Sequence, residues 1–290
     1  MIVSLIQRNM RIFFRDKTNV FFALLASLIM FILYVFFLGQ LQIDAMKESF
    51  PGASDQAIGY FVNSWVFAGI LTITSVTTGL AALQVFVSDR ASGRFQDFAV
   101  SPVAKWKLVV AYLMSTVLIS LGLTALMLVL SEIYIVANGG AWLQWNQLLM
   151  VCLYLVLSTL TFAVISGFIA AFIKTESAFS SLSVIVGTSI GFLAGIYVPV
   201  GTLPGAVASV INVLPYGQAA SLIREPFTQN ALEEITSNDQ QSITAMRDAF
   251  GINLNIADTT LSASVIVAIL VSLAIIFGVL AVMRISRKLQ

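Results

Sequence analysis

The sequence predicts an all-α membrane protein. It should have six transmembrane helices, an N-terminal amphipathic interfacial helix, and an outer re-entrant helix pair before the last span. Three observations predict this. Hydrophobic residues make up 59% of the 290 residues and charged residues only 10%, against about 25% charged in an average soluble domain. The charges are gathered between uncharged runs, and a helical crossing needs about 20 apolar residues. One of those runs is interrupted by Pro and Gly rather than bounded by them. So few charges exclude a soluble or a disordered chain. With 18 Gly and 1 Cys the chain is neither collagen-like nor disulfide-scaffolded. Cys152 lies in an apolar run and reads as a small packing residue.

The elements follow in chain order. Met1 to Lys17, within a cytoplasmic interfacial segment 1–18, places Arg8, Arg11 and Arg15 on one helical face beside Ser4. Ile2, Leu5, Ile6 and Phe13 point the other way, as in a helix lying among lipid headgroups. It serves either as an anchor alone or as an elbow that also touches a cytoplasmic partner. The spans are Val20 to Leu38, Tyr60 to Val87, Leu108 to Ser131, Leu148 to Ile173, Ser177 to about Val198, and Thr259 to Met283. Asn138-Gly139-Gly140 separates the third span from the fourth. Glu132 follows the third span at its outer end, where a carboxylate is expected to snorkel to water.

Charge sets the orientation. Arg8, Arg11, Arg15, Lys17, Arg90, Arg94, Lys105, Lys107, Lys174, Arg284, Arg287 and Lys288 fall on one side of the six spans. Lys47, Arg224 and Arg247 fall on the other, so the split is 12 against 3. Positive loops stay inside, which puts both termini in the cytoplasm of a multi-pass plasma-membrane protein. No charged residue lies mid-span, which argues against a proton-driven pump.

Two segments do more than connect. Ser88 to Lys107 (88–107) is longer than a plain turn and ends sharply at Pro102. A short helix from about Arg94 to Val100 would bring Phe95 and Phe98 near one face. The segment is either a solvated positive loop or a docking knob for a cytoplasmic protein. Segment 199–258 holds the second. Pro199, Pro204, Pro215 and Tyr216 break an uncharged run whose two flanks must both stay outside, which predicts a re-entrant pair. Arg224 to Asp258 then forms a small outer cap or a mobile loop.

Small and hydroxyl residues mark two spans. The fifth carries Ser183, Gly187, Gly191 and Gly195 at four-residue spacing, with Thr188 beside them. The second carries Thr74, Ser75, Thr77, Thr78 and Gly79, with Asn63 near its outer end. Either these groups pack within one subunit with hydroxyls bonded back to the helix, or they line a substrate pathway at a subunit interface.

The chemistry that is missing is informative. With no histidine, Ser-His and Cys-His catalysis and His-ligated zinc are excluded. No catalytic residues and no metal ligands are expected. There is no Gly-Lys dipeptide, so no phosphate-binding loop of the usual kind. Uphill transport would need a separate ATPase.

The chain resembles the membrane subunits of type-2 ATP-binding-cassette exporters, the drug and antibiotic efflux group, over nearly its whole length. The coupling segment of that family reads Glu-Arg, Gly-Thr, Glu, then Ser-Pro-Val. Here Asp89-Arg90, Gly93-Arg94, Gln96 and Ser101-Pro102-Val103 stand in those places. Its second signature runs Gly, Pro, Leu-Pro, Pro with Tyr, then Arg. Here these are Gly195, Pro199, Leu203-Pro204, Pro215-Tyr216 and Arg224. Arg94 replaces the usual Thr and Gln96 the usual acid, and Tyr216 follows Pro215 directly.

The resemblance implies one transmembrane domain, 1–290, acting as a non-catalytic permease. Two copies of an ABC ATPase would bind ATP and Mg, and a second permease, identical or related, would complete the complex. The ATPase-coupling residues would be Asp89, Arg90, Gly93, Arg94, Phe95, Asp97, Phe98, Ser101 and Pro102, with Arg11 and Arg15. Arg90 and Asp97 are the candidates for ion pairs to the ATPase. The cargo would be lipophilic or amphiphilic: a drug, toxin, pigment, peptide or lipid-linked molecule. Membrane lipids are expected partners and nucleic acid is not. Two other readings stand beside this one: a non-transporting sensor or immunity protein with the same fold, and a membrane enzyme acting on lipid.

Overall fold

A computed structural model describes residues 2–50, 52–94, 104–256 and 259–287. Helix α1 (Ile2–Arg15) is amphipathic and turns Asn9 and Phe13 into the protein. Asp16 caps the next helix by accepting the Asn19 amide at 3.0 Å. That helix, α2 (Lys17–Leu33), passes through a π turn at Tyr34–Leu38 into α3 (Gly39–Ser49) without a break. The phenol of Tyr34, buried in the π turn, donates to Asn63 Oδ1 at 3.2 Å.

Helix α4 (Asp55–Ala91) is the axis of the bundle, with 89% of its spanning stretch buried. It is wrapped by α2, α5 (Lys105–Ala137), α6 (Trp145–Ala170) and α7 (Glu176–Leu193). A helix that is apolar all round must be covered all round, and here its own chain covers it. The chain between α5 and α6 turns at Asn138-Gly139-Gly140, as the sequence predicts. Next come α8 (Gly205–Val213) and α9 (Pro215–Ile235), which meet at 82°. The cap helix α10 (Gln240–Ala249) and a two-residue antiparallel ribbon, Asn255–Ile256 with Thr259–Thr260, lead into α11 (Ala263–Arg287). Among the described residues six helices are long and apolar enough to cross a membrane.

Several sequence expectations are corrected. The last helix starts at Ala263 rather than Thr259, because Thr259 and Thr260 pair with the ribbon. The fifth span ends at Leu193 rather than Val198. There Gly195 adopts φ +60°, its amide bonds to the Phe192 carbonyl, and the Ile196 amide reaches back to Gly191. This is a glycine-terminated helix end, so Gly195 stops the helix rather than extending the small-residue ridge. Glu132 does not snorkel. It is buried and accepts the Leu143 amide at 3.0 Å, fixing the turn before α6. Cys152 is exposed on the bundle surface, not packed inside.

Candidate functional site

At one end of the bundle α1 is fastened to the last turns of α4 through one carboxylate. Asp89 is 2% exposed and takes a forked pair from Arg8, at 2.6 and 3.0 Å, and a third bond from the Tyr112 phenol at 2.7 Å. A planar guanidinium suits this two-point contact better than an ammonium. Hydrogen bonding to Asp89 is the main reason the Arg8 guanidinium is held above its ordinary pKa, so the pair stays ionised. One residue on, Asn9 donates to Ser115 at 3.2 Å, and Phe13 is fully buried. These contacts pin α1 along α5.

The neighbouring charges divide. Arg90 turns inward, where its Nη1 donates to the Ala171 and Ile173 carbonyls at 3.1 Å each. These carbonyls lie just past the end of α6, where helical acceptors run out of partners. Thus Asp89 and Arg90 brace the chain's own helices. Arg94 is 63% exposed, 3.7 Å from Asp89. Arg11 and Arg15 are exposed and, with Arg8, line a hollow of about 400 Å³. Gly93 adopts φ +80° at the turn that leaves α4. Phe95, Asp97, Phe98, Ser101 and Pro102, and the short helix expected there, lie outside the described residues.

The two faces expected to form a pathway part company. Thr74, Ser75 and Thr78 are fully buried and Asn63 nearly so. Thr74 bonds to Ser27 of α2 at 2.8 Å, and Thr78 to Ser120 of α5 at 2.9 Å. Each of these threonines also bonds back to its own helix. Of the two readings, these bonds fit packing within the subunit for Thr74, Ser75 and Thr78. Thr77 is half-buried and faces Gly187 of α7. Ser183 is half-buried and back-bonded to Phe179, whereas Thr188 is exposed. Val184, Ile185 and Phe192 join it on an exposed apolar face of α7. Between this face and α2 runs an apolar groove of about 670 Å³, lined by Phe22, Ile29, Leu33 and Thr188 among others.

Gly191 is covered from within. A Cβ there would run into the Tyr197 ring, so the C-terminal end of the ridge is closed by its own chain. Gly191→Leu is therefore expected to lower folded yield in the isolated chain. Adding Tyr197→Ala should restore it, as read by size-exclusion recovery and thermal midpoint. No recovery in the double variant would place the obstruction elsewhere.

At the opposite end one cation ties several elements together. Arg224 of α9 is 1% exposed. Its Nη2 donates to the Gly195 and Ala194 carbonyls at 2.7 and 3.3 Å, past the end of α7. Its Nη1 faces the Phe250 and Gly251 carbonyls at 3.4 and 3.3 Å, past the end of α10. The guanidinium also lies 5.0 Å from the ring of Trp65, whose Nε1 donates to Phe250 at 2.8 Å. Pro215 opens α9, and Tyr216 stacks on Phe162 of α6 at 5.2 Å. Pro199 and Pro204 begin the short helical segments between α7 and α9.

A family model described as ABC-2 type transporter matches residues 2–227. The chain belongs to the ABC-2 type transporter family. A comparison with individual curated proteins found no match. As an ABC-2 type membrane domain it is a permease component of an ABC transporter, and the family implies partnership with an ABC ATPase. The matched region takes in α1, the Asp89 junction and the bent α8–α9 pair past Arg224.

The sequence marks Asp89 and Arg224 as signature positions but not their partners Arg8, Tyr112 and Trp65. The partners of Asp89 lie 81 and 23 residues away, beyond any local pattern. For Arg224 a signal existed: a lone Arg in a run bounded by Pro215-Tyr216-Gly217, with apolar and small neighbours Ala219, Ala220, Leu222 and Ile223. A cation so placed must be paired or carbonyl-bound.

Proposed function

We propose that this ABC-2 permease is the membrane subunit of an ATP-driven exporter. The observation that carries the reading is the Asp89 junction. It makes α1 and the end of α4 one mechanical unit, at the end of the bundle from which the 88–107 segment leaves. A push on either is passed to α4, and α4 touches nearly every other span. Arg11, Arg15 and Arg94 give the exposed rim of that end its positive charge. An ABC ATPase, in two copies with their ATP and Mg, docks there against the rim and the 88–107 segment. A second permease packs across the exposed faces of α2 and α7. A lipophilic or amphiphilic compound then leaves along that seam toward the outer leaflet.

The test is capture of the tagged chain with an ATPase identified by its phosphate-binding loop and by nucleotide binding. Arg11→Glu with Arg15→Glu should weaken capture and stop ATP-dependent export while leaving expression unchanged. These are exposed positions, where a substitution alters stability by about 0.5 kcal/mol or less. Charge reversal at Lys47, at the far end, should leave capture intact. Capture that ignores the rim arginines but fails with Lys47→Glu would reverse the assignment of ends.

A further inference from the structure

Beside the Arg224 cluster lies a second cavity, of about 530 Å³. Its walls come from three elements: α3 with Leu41 and Ala45, the hinge after α7 with Tyr197 and Pro199, and α10 with Ala245 and Ala249. Among the described residues no charged side chain lines it, and its polar side chains are Gln42, Thr202 and Tyr197. The Thr202 hydroxyl is already spent on the Pro199 carbonyl, at 2.8 Å. Among the described residues, neither the Gln42 amide nor the Tyr197 phenol has a hydrogen-bond partner. This size and this lining, mostly apolar with a few polar handles, are those of a small-molecule site.

Tyr197 also lines the apolar groove between α2 and α7. One ring therefore stands between a groove on the spanning helices and a partly open pocket in the cap. It is seated on the bare backbone of Gly191 and edge-packed on Phe192 at 4.6 Å. The tip of the phenol lies over Gly191.

We propose that the outer pocket is a binding site for an uncharged lipophilic molecule carrying a hydrogen-bond acceptor, which enters from the α2–α7 groove past Tyr197. A charged head would lie against apolar walls with no opposite charge among the described lining residues, so an uncharged compound is favoured. Burial of apolar surface supplies the affinity, and the phenol supplies orientation. The proposal deepens the export reading by naming the chemistry of the cargo. It rests on that reading only for transport, since binding needs neither ATP nor a partner.

Benzophenone is a suitable probe: uncharged, lipophilic, bearing one carbonyl, and photoreactive. The full chain in lipid nanodiscs would be irradiated with increasing benzophenone and the adducts mapped by mass spectrometry. Saturable labelling is expected on α3 and α10 around Ala45 and Ala245, with linear, unsaturable labelling at the lipid-facing Ile275 and Ile276 of α11. Ala45→Trp and Ala245→Trp should each abolish the saturable part without moving the thermal midpoint. Tyr197→Phe should raise the half-saturating concentration about fivefold, the equivalent of one neutral hydrogen bond. The charged analogue 4-benzoylbenzoate should not label the pocket. Labelling that rises linearly at both places, as when a bilayer acyl chain fills the pocket, would overturn the proposal. So would labelling that survives both tryptophans, or equal labelling by the carboxylate. Because no ATPase is present, these failures would leave the export reading standing; loss of export with intact saturable binding would do the reverse.

Discussion

Arg224→Met is expected to destabilise the protein by about 2–4 kcal/mol, because the carbonyls it serves stay buried after it is gone. The Gly195, Ala194 and Gly251 carbonyls lose a charged donor, while Phe250 keeps the Trp65 indole. Removing a buried cation also removes its own desolvation penalty. That relief is the smaller effect here, since the acceptors remain in place without a substitute. Arg224→Lys should fall between the two. It keeps the charge but cannot reach two helix ends at once with a planar fork. The thermal midpoint of the detergent-purified chain reads the loss. Limited proteolysis near α10 reads its place, because the cap should loosen before the bundle does. A methionine variant as stable as the parent, with an intact cap, would mean that Arg224 is not what holds α7 and α10 together.

The second large effect is expected at the other end. Arg8→Met leaves a carboxylate that is 2% exposed without its forked partner. Breaking a buried pair from one side costs about 3–5 kcal/mol. Arg8 is itself 30% exposed and Arg94 stands 3.7 Å from the same carboxylate, which places the expectation near the bottom of that range. Asp89→Leu removes the stranded charge, so Arg8→Met with Asp89→Leu should be more stable than Arg8→Met alone. Such non-additivity is the signature of a direct pair. Release of α1 should accompany the single change and can be followed by protease access at Arg15 and Lys17. Strict additivity would show that α1 is held by Asn9 and Phe13 instead, and that Asp89 does not fasten it.

The spans were legible because lipid imposes a simple rule, about 20 apolar residues for each crossing. The turn at Asn138-Gly139-Gly140 and the break at Pro215 were legible because glycine and proline act locally. Helix ends were not. Thr259 and Thr260 are uncharged, and nothing in them distinguishes a helix from a ribbon formed with Asn255 and Ile256. The hydroxyl stretch Thr74 to Thr78 was visible, but its facing was not: which neighbour covers a helix is decided by Ser27 and Ser120, far along the chain. The basic end was visible as composition. Its division into braces (Arg8, Arg90) and rim (Arg11, Arg15, Arg94) was not, because a buried and an exposed arginine look alike in sequence. Signature positions pointed at Asp89 and Arg224, and the structure supplies the physical reason for each: both gather helix ends that would otherwise be unsatisfied or unfastened.

The central claim is that the braced, arginine-rich end works in the cytoplasm while the Arg224 cap faces outside. Single cysteines at Ser92 and at Gln241, both exposed, in a chain with Cys152 replaced by serine, decide it most directly. In intact cells an impermeant thiol reagent should label Gln241→Cys and leave Ser92→Cys untouched until the membrane is opened. Labelling of Ser92→Cys in intact cells, with Gln241→Cys protected, would invert the molecule and remove the ATPase-facing end from the account.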